Sequence, residues 1–187
     1  MTAIEEKKET TSKKRSDLGK RILSPLERFL IPNPQWQEGF ESFSTLFGKP
    51  VGWLILFEDH GRQRMIRLSR SKNCSFFCKS GTSQTECEAF LTKFTDQLSH
   101  DEETAEKLPL FYRCAFGKSS LIFGLRYLGA LKGFLIFCSV KKPEKEVRGL
   151  IGPFNYFLAS QVELAYKNFE LNNFYETVHP RALALST

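Results

Sequence analysis

The chain is predicted to be an α+β domain: a central antiparallel sheet flanked by helices, with a long helix at the C-terminal end. Two observations predict it. Five short segments of strand-like composition are punctuated by Gly, Asp and Lys turns, and amphipathic stripes of helical period stand before, between and after them. The resulting order is helix, helix, strand, strand, helix, strand, strand, strand, long helix. It predicts a sheet with one face covered by helices and the other able to close over a ligand.

In SPLERFLI, Ser24 stands as N-cap and Pro25 at the first helical position, with Leu26, Phe29 and Leu30 on one face. Asn33-Pro34 restarts the pattern. Trp36, Phe40, Phe43 and Phe47 then recur at spacings of four, three and four, one stripe of a helix that Gly48 and Pro50 end. VGWLILF (51–57) and QRMIRLS (63–69) read as a hairpin around the turn Glu58–Gly61. Ser83 and Glu86 have capping-box spacing, and Cys87, Phe90, Leu91, Phe94 and Leu98 continue an apolar face. HDEETAEK is an exposed loop or a turn of helix. LPLFYRCAF, SSLIFGLRYL and KGFLIFCSV supply the remaining strands, with turns at Gly117-Lys118 and Gly129–Lys132. From Glu144 the chain is helical, with a break expected at Gly152-Pro153.

The 187 residues suit one domain with tails, and 41% apolar with 26% charged residues is globular usage. The 18 Phe are a heavy aromatic load for a core or an internal pocket. The run Val51–Phe57 is far short of the roughly 20 residues of a membrane-spanning helix, and MTAIEEKKETTSKK offers no apolar signal segment. The expected localisation is cytoplasmic, with no membrane span. Net charge is +6, and residues 1–21 carry seven Lys or Arg against four acids. Interspersed acids and the absence of aromatics favour a disordered, solubilising leader over a nucleic-acid-binding arm.

The landmarks from Gln37 to Val140 resemble the PocR-type sensory domain, a PAS/GAF-like ligand-binding module of bacterial regulators. They read FGKPVGWLILFEDHG, SFFC ending at Cys78, TEC ending at Cys87, YRCAFG from Tyr112 to Gly117, and LIFGLRYLGALKGFLIF. The order of these pieces carries the resemblance, which covers a little over half of the chain. The family often has His after its third Cys, where this chain has Ala115, and the gap from Cys78 to Cys87 is slightly short. The resemblance implies a small-molecule sensor with a pocket between sheet and helices, passing its signal to an output domain or protein. It implies no catalysis. On this reading residues 1–16 are a basic leader, 17–143 the sensory domain with its N-terminal helices, and 144–187 a signalling or dimerisation helix and linker.

Cys74, Cys78, Cys87 and Cys114 are four candidate thiolate ligands, enough for zinc or an iron–sulfur cluster. Their spacing, C-x3-C-x8-C-x26-C, matches no well-marked pattern for either metal. Two other readings stand beside metal binding: redox sensing, for which Lys79 would lower the Cys78 pKa, and packing as small hydrophobes. Cys138, in GFLIFCSV, reads as core.

The three histidines, His60, His100 and His179, have no nucleophile or metal partner in the pattern. Phe116–Ser119 (FGKS) lacks the upstream glycine of a phosphate-binding loop, since position 112 is Tyr. The chain is therefore not read as an enzyme. Candidates for a ligand pocket are Trp53, Phe76, Phe111, Arg113, Phe123 and Tyr127. Arg113 and Arg126 draw interest because an arginine among aromatics would grip a carboxylate or phosphate, and the alternative is that both face solvent. The last helix outruns the domain beyond Lys167 and exposes apolar residues, the pattern of a homodimeric coiled coil or a signalling linker. The expectation is a dimeric sensory module. The other reading is a non-catalytic protein–protein adaptor with an empty GAF-like core.

Overall fold

Ser24 Oγ accepts the Glu27 amide at 3.2 Å and opens α1, one turn of π-helix over Leu26–Leu30. The Ile31 amide closes that turn on the Leu26 carbonyl at 3.1 Å. Asn33 then caps α2 (Pro34–Leu46), its side chain accepting from the Gln35 amide at 2.9 Å. The computed structural model describes residues 23–57, 62–68 and 81–184, with side chains in the last stretch from 85 to 176.

β1 (Val51–Phe57) and β2 (Gln63–Arg67) form the expected hairpin, with Leu54 opposite Ile66. α3 (Gly81–His100) starts two residues before the predicted cap. The charged stretch folds as a short helix, α4 (Glu102–Glu106), whose N-cap Asp101 accepts from the Thr104 amide at 3.1 Å. The Thr104 side chain, and after it that amide, hold the Asp101 carboxyl below its ordinary pKa by hydrogen bonding. β3 (Leu110–Arg113) is shorter than the apolar run around it, because Cys114 turns back to Gly117. β4 (Ser119–Tyr127) and β5 (Ala130–Cys138) are the longest strands. All pairs are antiparallel, in the order β2-β1-β5-β4-β3. The fold is thus α+β with a central antiparallel sheet, flanking helices and a long C-terminal helix.

That last helix, α5 (Glu144–Ala184), is continuous, so the break expected at Gly152-Pro153 does not occur. Proline repels a helical predecessor through that residue's backbone N–H and its Cβ, and Gly152 lacks the second of these. The bond lost at Pro153 lies on the exposed side, where water can reach the Gly149 carbonyl. Val147 and Phe154, both fully buried, pin the helix on either side.

Both faces of the sheet are covered, which corrects the expectation of one open face. On one, α1, α2 and α5 enclose a ring-rich core. Phe137 sits at its centre, with ring centroids 5.5 Å from Phe40, 5.1 Å from Phe47, 6.1 Å from Phe123 and 5.4 Å from Phe154. Two of these pairs, Phe47–Phe137 and Phe123–Phe137, meet edge to face, a favoured geometry of aromatic contacts. On the other face Val51, Trp53, Ile55, Ile122, Phe134, Ile136 and Cys138 pack with Cys87, Leu91 and Leu98 of α3. Strand alternation explains the division: Trp53 and Ile55 point to α3, while Leu54 and Leu56 point to α5.

Candidate functional site

The α3 face gathers the polar and soft groups. Cross-strand register sets Tyr112 opposite Ser120, and Trp53 opposite Ile136, which in turn faces Ile122. The Tyr112 ring stacks on Phe94 of α3 with centroids 4.6 Å apart. Its hydroxyl lies 4.0 Å from Cys138 Sγ, a weak thiol–hydroxyl contact. Burial, then the neighbouring Cys138, push the Tyr112 pKa well above its ordinary value. Cys114 adds to that shift from nearby, and a hydrogen bond with Ser120 opposes it. The Arg67 guanidinium lies 5.9 Å from the Trp53 ring centroid, at the β2 edge of the same face.

Cys87, Cys114 and Cys138 are all buried. Cys87 and Cys138 belong to the α3-face cluster, and the buried Cys114 lies close enough to Tyr112 to act on its hydroxyl electrostatically. Cys138, read from the sequence as plain core, has the Tyr112 hydroxyl as a polar neighbour. Among the described residues no group of three His, Cys, Asp or Glu side chains converges as a metal site. Cys74, Cys78 and Phe76 lie outside the described residues. The segment that carries them joins β2 to the start of α3.

The aromatic candidates divide between faces. Trp53 is on the α3 side. Phe123 is fully buried in the α5-side core, and Phe111 and Tyr127 pack against that same core. Trp53 therefore shares no chamber with those three. Tyr127 stacks on Tyr166 with centroids 4.4 Å apart and donates to Glu170 Oε1 at 2.8 Å. That bond holds the Tyr127 proton and raises its pKa. Burial raises Tyr166 to about 12.

Neither candidate arginine lines an interior. Arg113 is exposed and donates to the Gly117 carbonyl at 2.9 Å, bracing its own turn. Arg126 is also exposed and spans two backbone carbonyls, Gly129 at 3.1 Å and Ala105 at 3.0 Å. Among the described residues, an arginine that does bury a polar atom is Arg64, whose Nη1 lies 2.5 Å from Glu27 Oε1. The contact is an ion pair, not a well-aligned hydrogen bond. Sequence reasoning missed it, yet the signal was there: Arg64 stands two and four residues before Ile66 and Leu68, on the core-facing side of β2.

No protein-family model matches the chain, and neither a curated protein nor a solved structure does. Among the described residues no helix is long and apolar enough to cross a membrane.

Proposed function

We propose that the chain is a non-enzymatic, cytoplasmic signal-input module of a bacterial regulator, one that senses a small molecule or a metal centre under α3. On this reading it signals through α5 to an output domain or protein. One observation carries it: the faces of the sheet differ in kind. The α5 face is filled by interlocking aromatic rings, whereas the α3 face, with phenylalanines of its own, adds the buried Cys87 and Cys138 thiols and the Tyr112 hydroxyl, near which Cys114 is also buried. The chain that enters α3 adds Cys74, Phe76 and Cys78 in sequence. Soft thiolates beside aromatic walls suit zinc, an iron–sulfur cluster or a small planar organic ligand. The PocR-type resemblance and the antiparallel sheet between helical layers agree with the same reading. A ligand would signal only by binding one arrangement of α3 and α5 more tightly than another.

Metal analysis and a visible spectrum, on protein purified without oxygen, test the proposal. Stoichiometric zinc, or iron with charge-transfer absorption, that is lost in Cys78→Ser and Cys114→Ser would make the thiols the sensing group. A metal-free, colourless preparation would return them to packing, and a thermal-shift screen of planar ligands would follow. If neither metal nor ligand raises Tm, the sensor reading falls.

A second reading is favoured by the exposed Leu171, Phe174 and Tyr175 near the end of α5. In it the chain is a protein–protein adaptor with a filled core, working through that helix and needing no ligand.

A further inference from the structure

α1 is only five residues long, too short to hold a conformation alone, so its position is set by what its side chains grip. Leu26 and Leu30 sink into the α5-side core. Glu27, its side chain 7% exposed, pairs with Arg64 on the edge strand β2. The next two residues reach α5 instead. Arg28 Nη2 lies 3.4 Å from Glu176 Oε1, and the Phe29 ring meets Phe169 edge-on at 6.5 Å. Just past the turn, Asn33 Nδ2 donates to Gln161 Oε1 at 3.1 Å. A rotation of this turn about its two leucines would therefore carry Glu27 off Arg64 and Phe29 off Phe169 together.

β2 is held from its other side as well. Thr95 of α3 donates to Gln63 Oε1 at 2.7 Å, and Thr92 lies 3.4 Å from Met65 Sδ. The same strand leads into the segment carrying Cys74 and Cys78.

We infer that the Glu27–Arg64 ion pair is a latch: it ties the edge strand β2, through α1, to residues 168–176 of α5. Any shift of β2 or α3 is then transmitted to the distal part of the long helix, on the opposite side of the sheet. The latch is independent of whether the protein senses a ligand, because an adaptor would carry it equally.

Hydrogen exchange on the whole chain tests it, with Glu27→Gln, Arg64→Met and the double variant. Opening the latch is expected to raise exchange about tenfold in α1 and over 168–176, while β4, β5 and residues 147–165 keep their wild-type protection. The double variant matches the single ones over 168–176, because both act on one interaction. A single variant leaves a buried charge without its partner and can unfold outright, whereas the double variant removes both charges and remains a fair test. Exchange that rises uniformly, or only within α1 and β2, would reduce the pair to a stabilising contact and overturn the latch.

Discussion

Gly133 occupies a position on β5 that no other residue fits. Its φ is +157°, and a Cβ built there would stand 2.2 Å from the Ile55 carbonyl oxygen of the neighbouring strand. Backbone, not a movable side chain, is what it would meet. The pairing slips immediately beside it: Leu125 faces Gly133, but Arg126 faces Leu131, leaving Lys132 as the extra residue of a bulge. Gly133→Ala is accordingly expected to lose on the order of 3 kcal/mol, from backbone strain and overpacking together. Urea unfolding would show a lower midpoint at unchanged m-value, and a loss below about 0.5 kcal/mol would mean that β1 moves aside freely. The same bulge limited what could be read from the sequence. Alternation within one strand tells which of its residues share a face. It does not tell which set on another strand joins them, since that depends on register. Trp53 and Phe123 were therefore both legible as inward-pointing, but not as facing opposite layers. Arg113 and Arg126 were unreadable for a related reason: turn carbonyls that absorb a guanidinium exist only once the turns have formed.

Elements with a strong period were the most legible. The stripe of Trp36, Phe40, Phe43 and Phe47 is the buried side of α2 and its C-terminal end, because the spacing follows the helical turn and every member is apolar. Close approach followed too. Gly39 leaves room for Phe157 of α5, whose ring stacks on Trp36 at 6.0 Å. The boundary expected inside α5 failed because local propensity was outweighed by burial. Gly152 and Pro153 lie on the exposed side, and the buried Val147, Phe154, Leu158 and Val162 hold the helix along the sheet. This makes Pro153 a local weakness within a continuous element. Pro153→Ala restores a donor toward the Gly149 carbonyl and should stabilise the protein by about 1–3 kcal/mol. Calorimetry would register this as a rise in Tm. A fall instead would mean that the α5 contacts depend on a bend which proline imposes.

At the scale of the molecule, α5 is longer than the body it covers. Its 41 residues span about 60 Å, whereas a compact domain of about 150 residues is roughly 40 Å across. Its inward side is accounted for by the core as far as Ala165, then by Phe29 against Phe169 and Arg28 against Glu176. The other side carries a second apolar series. Leu164 and Leu171 stand seven residues apart, and Leu164, Leu171, Phe174 and Tyr175 are 38%, 54%, 57% and 57% exposed. A seven-residue repeat is the period that keeps one helix seam facing another along a shared axis. In the homodimer expected from the sequence, this outward seam would be the contact, because the inward seam is already used. Leu171→Glu would set two carboxylates against each other in such a dimer while leaving the monomer's core untouched. Sedimentation equilibrium should then show a wild-type dimer and a monomeric variant. Wild-type Tm should rise with protein concentration, and the variant's should not. A wild-type monomer whose Tm ignores concentration would free the outward seam for a different chain, and the signal would leave the molecule through a heterologous partner.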